Sequence, residues 1–311
     1  MHKGTCLVLG ANGFIGSHVV DELVGIGYRV TAFDHFRHKP QFRADQSIRI
    51  VSGDATSIND VRSALAGANY LIHAFSATTP ATSDADPYTD ISANLNNSVH
   101  IFEECVKAKL KKIVFISSGG VIYGESGKLK KAKESDPAMP VSPYGINKLA
   151  IELYLKYFER KYGMNHITYR LSNPYGPRQI TKHSQGVVPA FINQTTSGES
   201  ISIYGDGTST RDYIYIKDAA RMIVASFAKD NQHDIYNLGS GVQISLIELL
   251  SAVQAAIGAI TPVKYLEAPQ TFLHSSEIDV RRLEDEFGLS ADTSLRDGIK
   301  WTVEAATENK A

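Results

Sequence analysis

The feature that most constrains the fold of this 311-residue chain is a glycine-rich turn near its amino terminus. Residues 10–16 (Gly-Ala-Asn-Gly-Phe-Ile-Gly) follow a short apolar stretch, 3–9, and precede a segment with helical periodicity, 14–26. The spacing is GxxGxxG rather than GxGxxG, so the strand before the turn and the helix after it carry the interpretation, not the glycines alone. The turn predicts a β–α unit that binds the phosphates of a nucleotide.

Each part of this turn has its own predicted role. Gly10 permits the tight turn, Gly13 lets a pyrophosphate approach the backbone, and Gly16 lets the helix pack closely on the strand. Phe14 and Ile15 lie at the start of the helix, where unpaired backbone N–H groups can hold phosphate oxygens. A glycine-rich turn without a ligand is the alternative interpretation.

The rest of the first half alternates strand-like and helix-like segments. Apolar strands are predicted at 29–33, 48–51, 70–73, 112–117 and 166–171, and helices at 58–65, 87–109 and 144–161. Strands that are mostly apolar rather than alternating are typical of a parallel sheet covered by helices on both faces. We therefore predict an α/β fold with a doubly wound, Rossmann-like parallel sheet.

The amino-acid composition changes at residue 173, where a stretch rich in Pro, Gly, Ser and Thr begins. We predict an NAD-binding domain at 1–172, to which about 212–237 returns, and a smaller mixed α/β substrate lobe at 173–211 and 238–311.

The 32 basic and 33 acidic residues give no electrostatic reason to expect nucleic acid or an anionic membrane as partner. Two cysteines and scattered histidines predict neither a disulfide framework nor a metal site. Without a signal-peptide pattern or an apolar run of about 18 residues, we expect a cytoplasmic protein with no membrane partner.

Two acidic residues at strand ends are candidates for contacts to adenosine. Asp34 follows the turn by about 20 residues, where an acid can bind both ribose hydroxyls and would repel a 2′-phosphate. It therefore favours NAD over NADP. Arg37 and His38 lie nearby and could weaken that preference, although solvated loop charges are the alternative. Asp54 could hydrogen-bond the adenine amino group, or simply be a turn or N-cap residue.

Tyr144 and Lys148 stand at i and i+4, on one face of a predicted helix. A phenol titrates near 10, and lowering its pKa by about three units through a nearby ammonium is worth about 4 kcal/mol. Tyr144 is thus a candidate acid–base group, and Lys148 could also hold the nicotinamide ribose. A surface tyrosine beside a solvated lysine is the alternative, which the preceding glycine turn and α/β units disfavour.

These residues resemble the extended short-chain dehydrogenase/reductase superfamily. Four further segments narrow the resemblance to its NAD-dependent nucleotide-sugar epimerase/dehydratase branch, most closely the UDP-glucose 4-epimerase-like group. They are 117–124 (Ser-Ser-Gly-Gly-Val-Ile-Tyr-Gly), 173–178 (Asn-Pro-Tyr-Gly-Pro-Arg), 204–207 (Tyr-Gly-Asp-Gly) and 211–215 (Arg-Asp-Tyr-Ile-Tyr). The resemblance spans nearly the whole chain. It implies a bound NAD, with the strand-end residues Ala74 and Ser117 in the cofactor site.

The resemblance also implies a reaction and residue roles. Tyr144 takes the proton of the sugar 4-hydroxyl while NAD takes the hydride from C4; the 4-keto intermediate turns over, and hydride returns to its other face. Asn173 corresponds to the asparagine that contacts the substrate phosphates, and Arg211 to the arginine that pairs with the diphosphate. Val188 and Tyr204 lie in segments that resemble those holding uracil and its ribose. A turn asparagine and a surface arginine are the alternatives.

The sequence departs from the family at the end of the fifth strand. The family usually has a serine or threonine at the position of Gly119, and its hydroxyl bridges the substrate 4-hydroxyl and the catalytic tyrosine. The replacement could be Ser118, a hydroxyl from Ser76, Thr78 or Thr79, or a water. We favour Ser118 as the third catalytic residue.

Two other departures concern the reaction and the phosphates. Gly-Val at 120–121 replaces the Asp–Glu pair of 4,6-dehydratases, and a decarboxylase glutamate is absent there too, so neither reaction is favoured. A second diphosphate arginine is missing from 268–271 (Ala-Pro-Gln-Thr). Phosphate recognition would then lean on Arg211, with help from Arg178 or Lys182.

We therefore predict an NAD-dependent UDP-sugar 4-epimerase whose sugar is glucose, N-acetylglucosamine or glucuronic acid. One alternative is a nucleotide-sugar 4-reductase or another NAD(P)-dependent nucleotide-sugar oxidoreductase, which Asp34 disfavours where NADPH is needed. A non-catalytic NAD- or nucleotide-sugar-binding protein is a minor alternative. We expect a homodimer, because helices 87–109 and 144–161 match those that form a four-helix interface in the superfamily.

Overall fold

The structure is a computed structural model of the chain and describes residues 2–124, 131–179, 186–268 and 273–308. The strands are β1 (Thr5–Leu9), β2 (Arg29–Asp34), β3 (Ile48–Ser52), β4 (Tyr70–His73), β5 (Lys112–Ser118), β6 (His166–Leu171), β7 (Asn173–Tyr175), β8 (Ile201–Tyr204), β9 (Thr210–Tyr215), β10 (Ile235–Leu238), β11 (Gln243–Ser245), β12 (Val263–Leu266) and β13 (Ser275–Ser276). The α-helices are α1 (Phe14–Gly25), α2 (Ile58–Leu65), α3 (Pro80–Ala85), α4 (Pro87–Asp90), α5 (Asn97–Lys107), α6 (Pro143–Tyr162), α7 (Val187–Ser197), α8 (Ile216–Phe227), α9 (Leu246–Ile257), α10 (Arg281–Phe287) and α11 (Leu295–Glu308).

Seven strands form a fully parallel sheet in the order β10-β6-β5-β4-β1-β2-β3. Successive residues of β1 serve different cores: Cys6 and Val8 pack with α1 and α8, whereas Leu7 and Leu9 pack with α2, α5 and α6. This two-sided burial explains why the inner strands are mostly apolar rather than alternating. The predicted doubly wound α/β sheet is confirmed.

A smaller lobe lies beside the carboxyl ends of β6 and β10. Its main sheet has the order β11-β9-β13, with β7 also paired to β9, and β8 pairs with β12. The β9–β11 pair is antiparallel and the other pairs are parallel. An apolar core holds it together, and includes Tyr175, Phe191, Leu249 and Ile299.

Asp212 on β9 joins the lobe to the main sheet. Its buried carboxylate accepts hydrogen bonds from Ser172 Oγ (3.2 Å), which follows β6, and from the N–H groups of Ser240 (2.8 Å) and Gly241 (2.9 Å), which follow β10. Burial raises the pKa of Asp212, and these hydrogen bonds oppose the rise. The lobe strand β9 is thereby held at the carboxyl end of the large sheet.

The chain crosses between the two parts more often than the predicted boundaries allow. Strand β9 belongs to the smaller sheet, whereas α8 packs on α1 and β10 pairs with β6, so the segment 212–237 is divided between the two. Helix α10, placed by prediction in the lobe, contributes Leu283 and Phe287 to the core of the large sheet. The two-domain division itself stays a prediction.

The predicted helix at 87–109 is interrupted by a π-helical turn, Ile91–Asn96, between α4 and α5. The turn lies where polar side chains point inward: Asp90, Asn94 and Asn97 are all buried. Wider turns of this kind are often found at functional sites. Among the described residues, no helix is long and apolar enough to cross a membrane.

Candidate active site

The glycine turn has the geometry that dinucleotide binding needs. Gly10 has a φ of +79°, which favours glycine, and a Cβ on Gly16 would overlap the carbonyl oxygen of Gly10. Gly13 precedes the first turn of α1, in which Phe14 and Ile15 lie. Gly13, Phe14 and Ile15 line a cleft of about 960 Å³ that also contains Tyr144 and Lys148. The turn therefore fits a pyrophosphate at the start of α1.

Asp34 lies at the end of β2, in an adjoining cleft that Gly10 and Gly13 also line. Its Oδ2 accepts a hydrogen bond from the Asn12 N–H (3.0 Å), and its Oδ1 accepts one from the His35 N–H (2.7 Å). The exposed residues Arg37 and His38 line the same cleft. The carboxylate is thus fixed beside the glycine turn, as an acceptor for ribose hydroxyls must be.

Asp54 and Ala74 line this adjoining cleft as well. The Asp54 Oδ1 accepts hydrogen bonds from the N–H (2.8 Å) and the hydroxyl (2.7 Å) of Thr56, and these bonds lower the pKa of Asp54. Asp54 is therefore a turn residue that also faces the cleft, so its two interpretations are compatible. The Ala74 N–H extends the sheet by donating to the Leu9 carbonyl (3.1 Å).

Tyr144 and Lys148 lie on the first turns of α6, whose N-cap Ser142 accepts a hydrogen bond from the Gly145 N–H (3.3 Å). The Lys148 Nζ donates to the Ile116 carbonyl (2.9 Å) on β5 and lies 5.6 Å from the centroid of the Tyr144 ring. The helix therefore brings the phenol and the ammonium together at the carboxyl end of β5.

The pKa values of this pair differ from the expectation that Lys148 lowers the pKa of Tyr144. Burial raises the pKa of the Tyr144 phenol to about 12, and the charge of Asp90 adds to the rise. Burial lowers the pKa of Lys148 to about 8, although Asp90 and Glu152 oppose the fall. Desolvation and a nearby carboxylate thus outweigh the attraction of the ammonium for the phenolate.

Ser117 and Ser118 end strand β5 and line the same cleft as Tyr144. The buried Ser117 hydroxyl donates to Glu152 Oε1 (2.6 Å), so this side chain is held from behind the cleft. Gly119 follows the end of β5, and a Cβ on it would lie 2.7 Å from the Arg170 carbonyl oxygen. Close packing on β6 therefore accounts for glycine where the family usually has a hydroxyl residue.

The other candidate hydroxyls already make hydrogen bonds with the loop or with the helices that follow it. The Ser76 hydroxyl donates to the Thr78 carbonyl (2.9 Å), and the Thr78 hydroxyl donates to Asp90 Oδ1 (2.7 Å). The Thr79 hydroxyl caps α3 by accepting from the Thr82 N–H (3.1 Å). Because these three hydroxyls already have hydrogen-bond partners, Ser118 remains the candidate that we favour.

Three of the four predicted substrate contacts face the cleft. Asn173, Val188 and Arg211 line it together with Tyr144, whereas Tyr204 lies on the exposed side of β8 and does not. The Asn173 amide donates to the Asp212 carbonyl (3.0 Å). The Arg211 guanidinium donates to the carbonyls of Thr210 (2.7 Å) and Leu273 (2.6 Å), which anchor it to the main chain of the lobe.

Arg178 is the second cation at this cleft. Its Nη2 donates to Asp21 Oδ2 (2.7 Å) on α1, while its Nη1 is buried with no hydrogen-bond partner among the described residues. Its φ of +69° is unusual for a residue other than glycine. Lys182, and residues 269–272 of the region that lacks the second arginine, lie outside the described residues.

Sequence reasoning missed Asn12 and Asp90. Asn12 supports Asp34 and also accepts a hydrogen bond from the Gln41 N–H (2.8 Å) with its side-chain oxygen. Asp90 and Asn94 lie four residues apart on the inner face of a helix. The spacing of these two polar residues within the predicted helix 87–109 was the available signal for Asp90.

One group in the described part of the chain brings three possible metal ligands together: ligand atoms of Glu159, His166 and Asp234 lie within 4.8 Å of one another. Lys156 Nζ lies 3.3 Å from Asp234 Oδ2, so an ammonium already pairs with this group. The group lies at the other end of α6 from Tyr144, and we assign it no part in the site.

Comparisons with known proteins agree with this geometry. The chain is 32% identical over 298 residues, 96% of both chains, to a putative UDP-glucose 4-epimerase of Methanocaldococcus jannaschii. A dTDP-4-dehydro-6-deoxyglucose reductase of Escherichia coli is 28% identical over 96% of each chain. The crystal structure of Thermotoga maritima UDP-glucose 4-epimerase with UDP-glucose superposes with a TM-score of 0.91 at 30% identity, covering 99% of this chain and all of that one.

The matched sequence family names the cofactor. Residues 6–239 match the model of the NAD dependent epimerase/dehydratase family, so the match contains the glycine turn, Asp34 and the Tyr144–Lys148 pair. The prediction of NAD as cofactor is confirmed by this family assignment, and the turn and Asp34 fit it structurally. The chain is therefore a member of the NAD-dependent epimerase/dehydratase family.

Proposed function

We propose that this enzyme interconverts the two C4 configurations of a UDP-sugar with NAD as its resident cofactor. The observation that carries the proposal is that one cleft is lined by the glycine turn, by Tyr144 and Lys148, and by Asn173 and Arg211. A dinucleotide at the turn and a sugar diphosphate at the opposite wall would meet at the Tyr144 phenol.

NAD, when bound, accepts the hydride from C4 of the sugar and returns it to the other face. Tyr144 Oη takes the proton of the 4-hydroxyl as the 4-keto sugar forms, and gives it back when the hydroxyl is restored. Because burial disfavours the phenolate, the positive charges of Lys148 and of an oxidised nicotinamide are needed to lower the pKa of Tyr144 in the loaded enzyme.

Ser118 is the residue we assign to the sugar 4-oxygen. It ends β5 at the cleft, next to the closely packed Gly119, and the hydroxyls of Ser76, Thr78 and Thr79 already have hydrogen-bond partners in the loop or in α3 and α4. A hydroxyl here can donate to the substrate oxygen and orient it toward Tyr144.

Asn173 and Arg211 are assigned to the diphosphate, with Arg178 as the supporting cation. Arg178 lines the cleft, and its buried Nη1 has no hydrogen-bond partner among the described residues, so this donor would serve an anion there once the side chain turns toward the cleft. Two of the Arg211 donors bind carbonyls, so this side chain is held in position. A bidentate contact with a phosphate would require those bonds to be exchanged for bonds to the ligand. Val188 lines the cleft near these groups; Tyr204 would have to move to reach a ligand there.

A nucleotide-sugar reductase is the second candidate, because a reductase is among the relatives. Such an enzyme consumes reduced cofactor, whereas an epimerase regenerates NAD in every cycle. Asp34 repels the 2′-phosphate of NADPH, which favours the epimerase.

A homodimer completes the proposal. Helix α6 exposes Ile146, Leu153 and Tyr157 along one side, and Tyr88 and Ile91 are exposed on the neighbouring helical segment. An apolar surface of this kind on a soluble enzyme is suited to self-association through paired helices.

The test is an NMR assay of the purified protein with UDP-glucose, UDP-N-acetylglucosamine and UDP-glucuronate, with no cofactor added. We expect a C4-inverted product from at least one of them, and Tyr144→Phe is the matched inactive control. Product that appears only when NADPH is supplied would replace the epimerase by a reductase. No reduction of bound NAD by any UDP-sugar would indicate a non-catalytic binding protein.

A further inference from the structure

Asp90 is a buried carboxylate close to the catalytic pair that the reaction described above does not use. Only 1% of its surface is exposed. It accepts hydrogen bonds from the hydroxyls of Thr78 (2.7 Å) and Ser83, and from the side-chain amide of Asn94. Asn147 donates to it as well. Because all four donors are neutral, hydrogen bonds stabilise the carboxylate without cancelling its charge.

Three of these donors come from different segments around the cleft. Thr78 lines the cleft on the loop after β4, Asn94 lies in the π-helical turn, and Asn147 is adjacent to Lys148 on α6. The Asn94 amide also donates to the Thr78 hydroxyl (2.7 Å), and its oxygen accepts from the Ala77 N–H (2.8 Å). Asp90 is thus the common acceptor that joins this loop to the catalytic helix.

The charges around Lys148 show why Asp90 differs from its neighbours. Glu152 also faces Lys148, but it pairs with the buried Arg170 (2.7 Å) and accepts from Ser117. His73 lies nearby on β4, and burial followed by the charge of Lys148 lowers the pKa of His73 to about 3, which keeps it neutral. Asp90 therefore supplies a negative charge that no arginine or histidine of this group offsets.

We propose that Asp90 is a positioning residue of the reaction, whose buried carboxylate ties the Thr78 loop to helix α6 and whose charge sets the proton balance between Tyr144 and Lys148. The carboxylate attracts the Lys148 ammonium and repels the Tyr144 phenolate, so it favours the state in which both groups carry their protons. That state can return a proton to the sugar oxygen, whereas the opposite half-reaction needs the phenolate.

The inference rests on the proposed function for its kinetic part only. In Asp90→Asn the carboxylate is replaced by an amide of the same shape, so the Lys148 ammonium and the Tyr144 proton both lose stabilisation. The pKa of each group should then fall by about 1 unit, the lower end of the range by which a nearby charge shifts the pKa of a protein group. Both limbs of the kcat–pH profile should move to lower pH by a similar amount.

The first measurement does not depend on activity. NMR of protein labelled with [ε-¹³C]lysine reports the titration of Lys148, whose signal is assigned by its loss in Lys148→Arg. We expect a midpoint near pH 8 in the wild type and a lower one in Asp90→Asn. The matched control is Ser83→Ala, which removes one of the hydrogen bonds to Asp90 and keeps the charge; its Lys148 midpoint should stay near that of the wild type.

The outcomes separate the two proposals. An unchanged Lys148 midpoint in Asp90→Asn overturns the role of Asp90, whatever the activity. A lowered midpoint in a protein whose wild type inverts no UDP-sugar overturns the proposed function and leaves the electrostatic link standing. Equal shifts in Asp90→Asn and Ser83→Ala would assign the effect to packing instead and overturn the inference. If Asp90→Asn does not fold, Asp90→Ser, which keeps a polar group and needs less space, carries the same titration.

Discussion

Gly119 lies against the main chain of Arg170: its N–H donates to the Leu171 carbonyl (2.7 Å), and a Cβ built on it would be 2.7 Å from the Arg170 carbonyl oxygen. The side-chain methyl of Ile278 closes the same space from the other side, at 3.2 Å. Strand β5 therefore ends in a position that admits no side chain, one residue after the hydroxyl of Ser118.

We expect Gly119→Ala to lower the free energy of unfolding by about 1–3 kcal/mol, because a backbone oxygen cannot move aside as a side chain can. Gly120→Ala is the matched control, since its Cβ would meet nothing closer than Asn173 Oδ1 at 3.6 Å, and should cost less than about 0.5 kcal/mol. Urea unfolding measures both. Equal stabilities of the two variants would show that β5 and β6 separate easily here.

Ser118→Ala should lower kcat by about 10²-fold, the size of effect expected when one group that orients and polarises the reacting oxygen is lost. Ser76→Ala is the control: its hydroxyl bonds within its own loop, so its kcat should stay near that of the wild type. Steady-state rates with the sugar identified by NMR decide the matter. Undiminished turnover in Ser118→Ala would leave a water, or one of the loop hydroxyls, in this role.

The stability of the protein should rise with pH between about 8 and 10 in a way that depends on Lys148. The pKa of Lys148 is about 8 when folded against 10.5 ordinarily, so in this window the unfolded chain binds more protons than the folded one. The gain over the window is about 2 kcal/mol. Above pH 10 the raised pKa of Tyr144 acts in the opposite direction.

Chemical denaturation of the wild type and Lys148→Met at several pH values tests this. The difference between their free energies of unfolding should change in favour of the wild type as the pH rises through the window. Parallel curves for the two proteins would mean that Lys148 keeps its ordinary pKa in the folded state, and would contradict the prediction.

Asp34→Asn should weaken the binding of NAD about 10-fold or more, because a charged hydrogen-bond acceptor for the ribose is lost. The preference for NAD over NADP should shrink at the same time, since Arg37 and His38 line the cleft and the repulsion of a 2′-phosphate is gone. Calorimetry on protein stripped of nucleotide measures both affinities. Asp45→Asn, an exposed carboxylate bonded to Ser47, is the control. Equal losses in the two variants would point to net charge alone.

Leu153→Lys should convert a dimer to a monomer, because Leu153 is 60% exposed on the apolar side of α6. Ile260→Lys removes an even more exposed apolar side chain, at 90%, from a loop far along the chain, and should leave the assembly unchanged. Light scattering coupled to gel filtration gives the mass of each. A monomeric wild type would remove the basis for this prediction.

The large sheet was predictable because its strands are mostly apolar rather than alternating, and because its glycine turn stands between a strand and a helix. The helices at 58–65 and 144–161 were equally recognisable from their periodicity. The division of 212–237 was not, because β9 and α8 are adjacent in sequence and only the pairing of β9 with β7 and β11 places it in the lobe.

The site was predictable where chemistry depends on local spacing, as with Tyr144 and Lys148. The site was less predictable where packing between residues far apart in sequence decides which groups meet. The reason for glycine at 119 is a carbonyl on β6, and the raised pKa of Tyr144 depends on burial and on Asp90 from another helix. Tyr204, predicted from a motif, lies on the outward side of a short strand that pairs with β12.

The hydrogen bonds of Asp212 have a consequence for how the enzyme meets its substrate. Its carboxylate binds groups after β6 and β10, and its carbonyl accepts from Asn173, so Arg211 next to it is fixed relative to the large sheet, on which helix α6 with Tyr144 packs. In the proposed function, the distance between the diphosphate site and Tyr144 is thereby set when the protein folds. A sugar nucleotide bound as proposed would meet a site whose length is already fixed. The choice between sugars would then depend on the side chains that line the cleft, not on a rotation of the lobe relative to the large sheet.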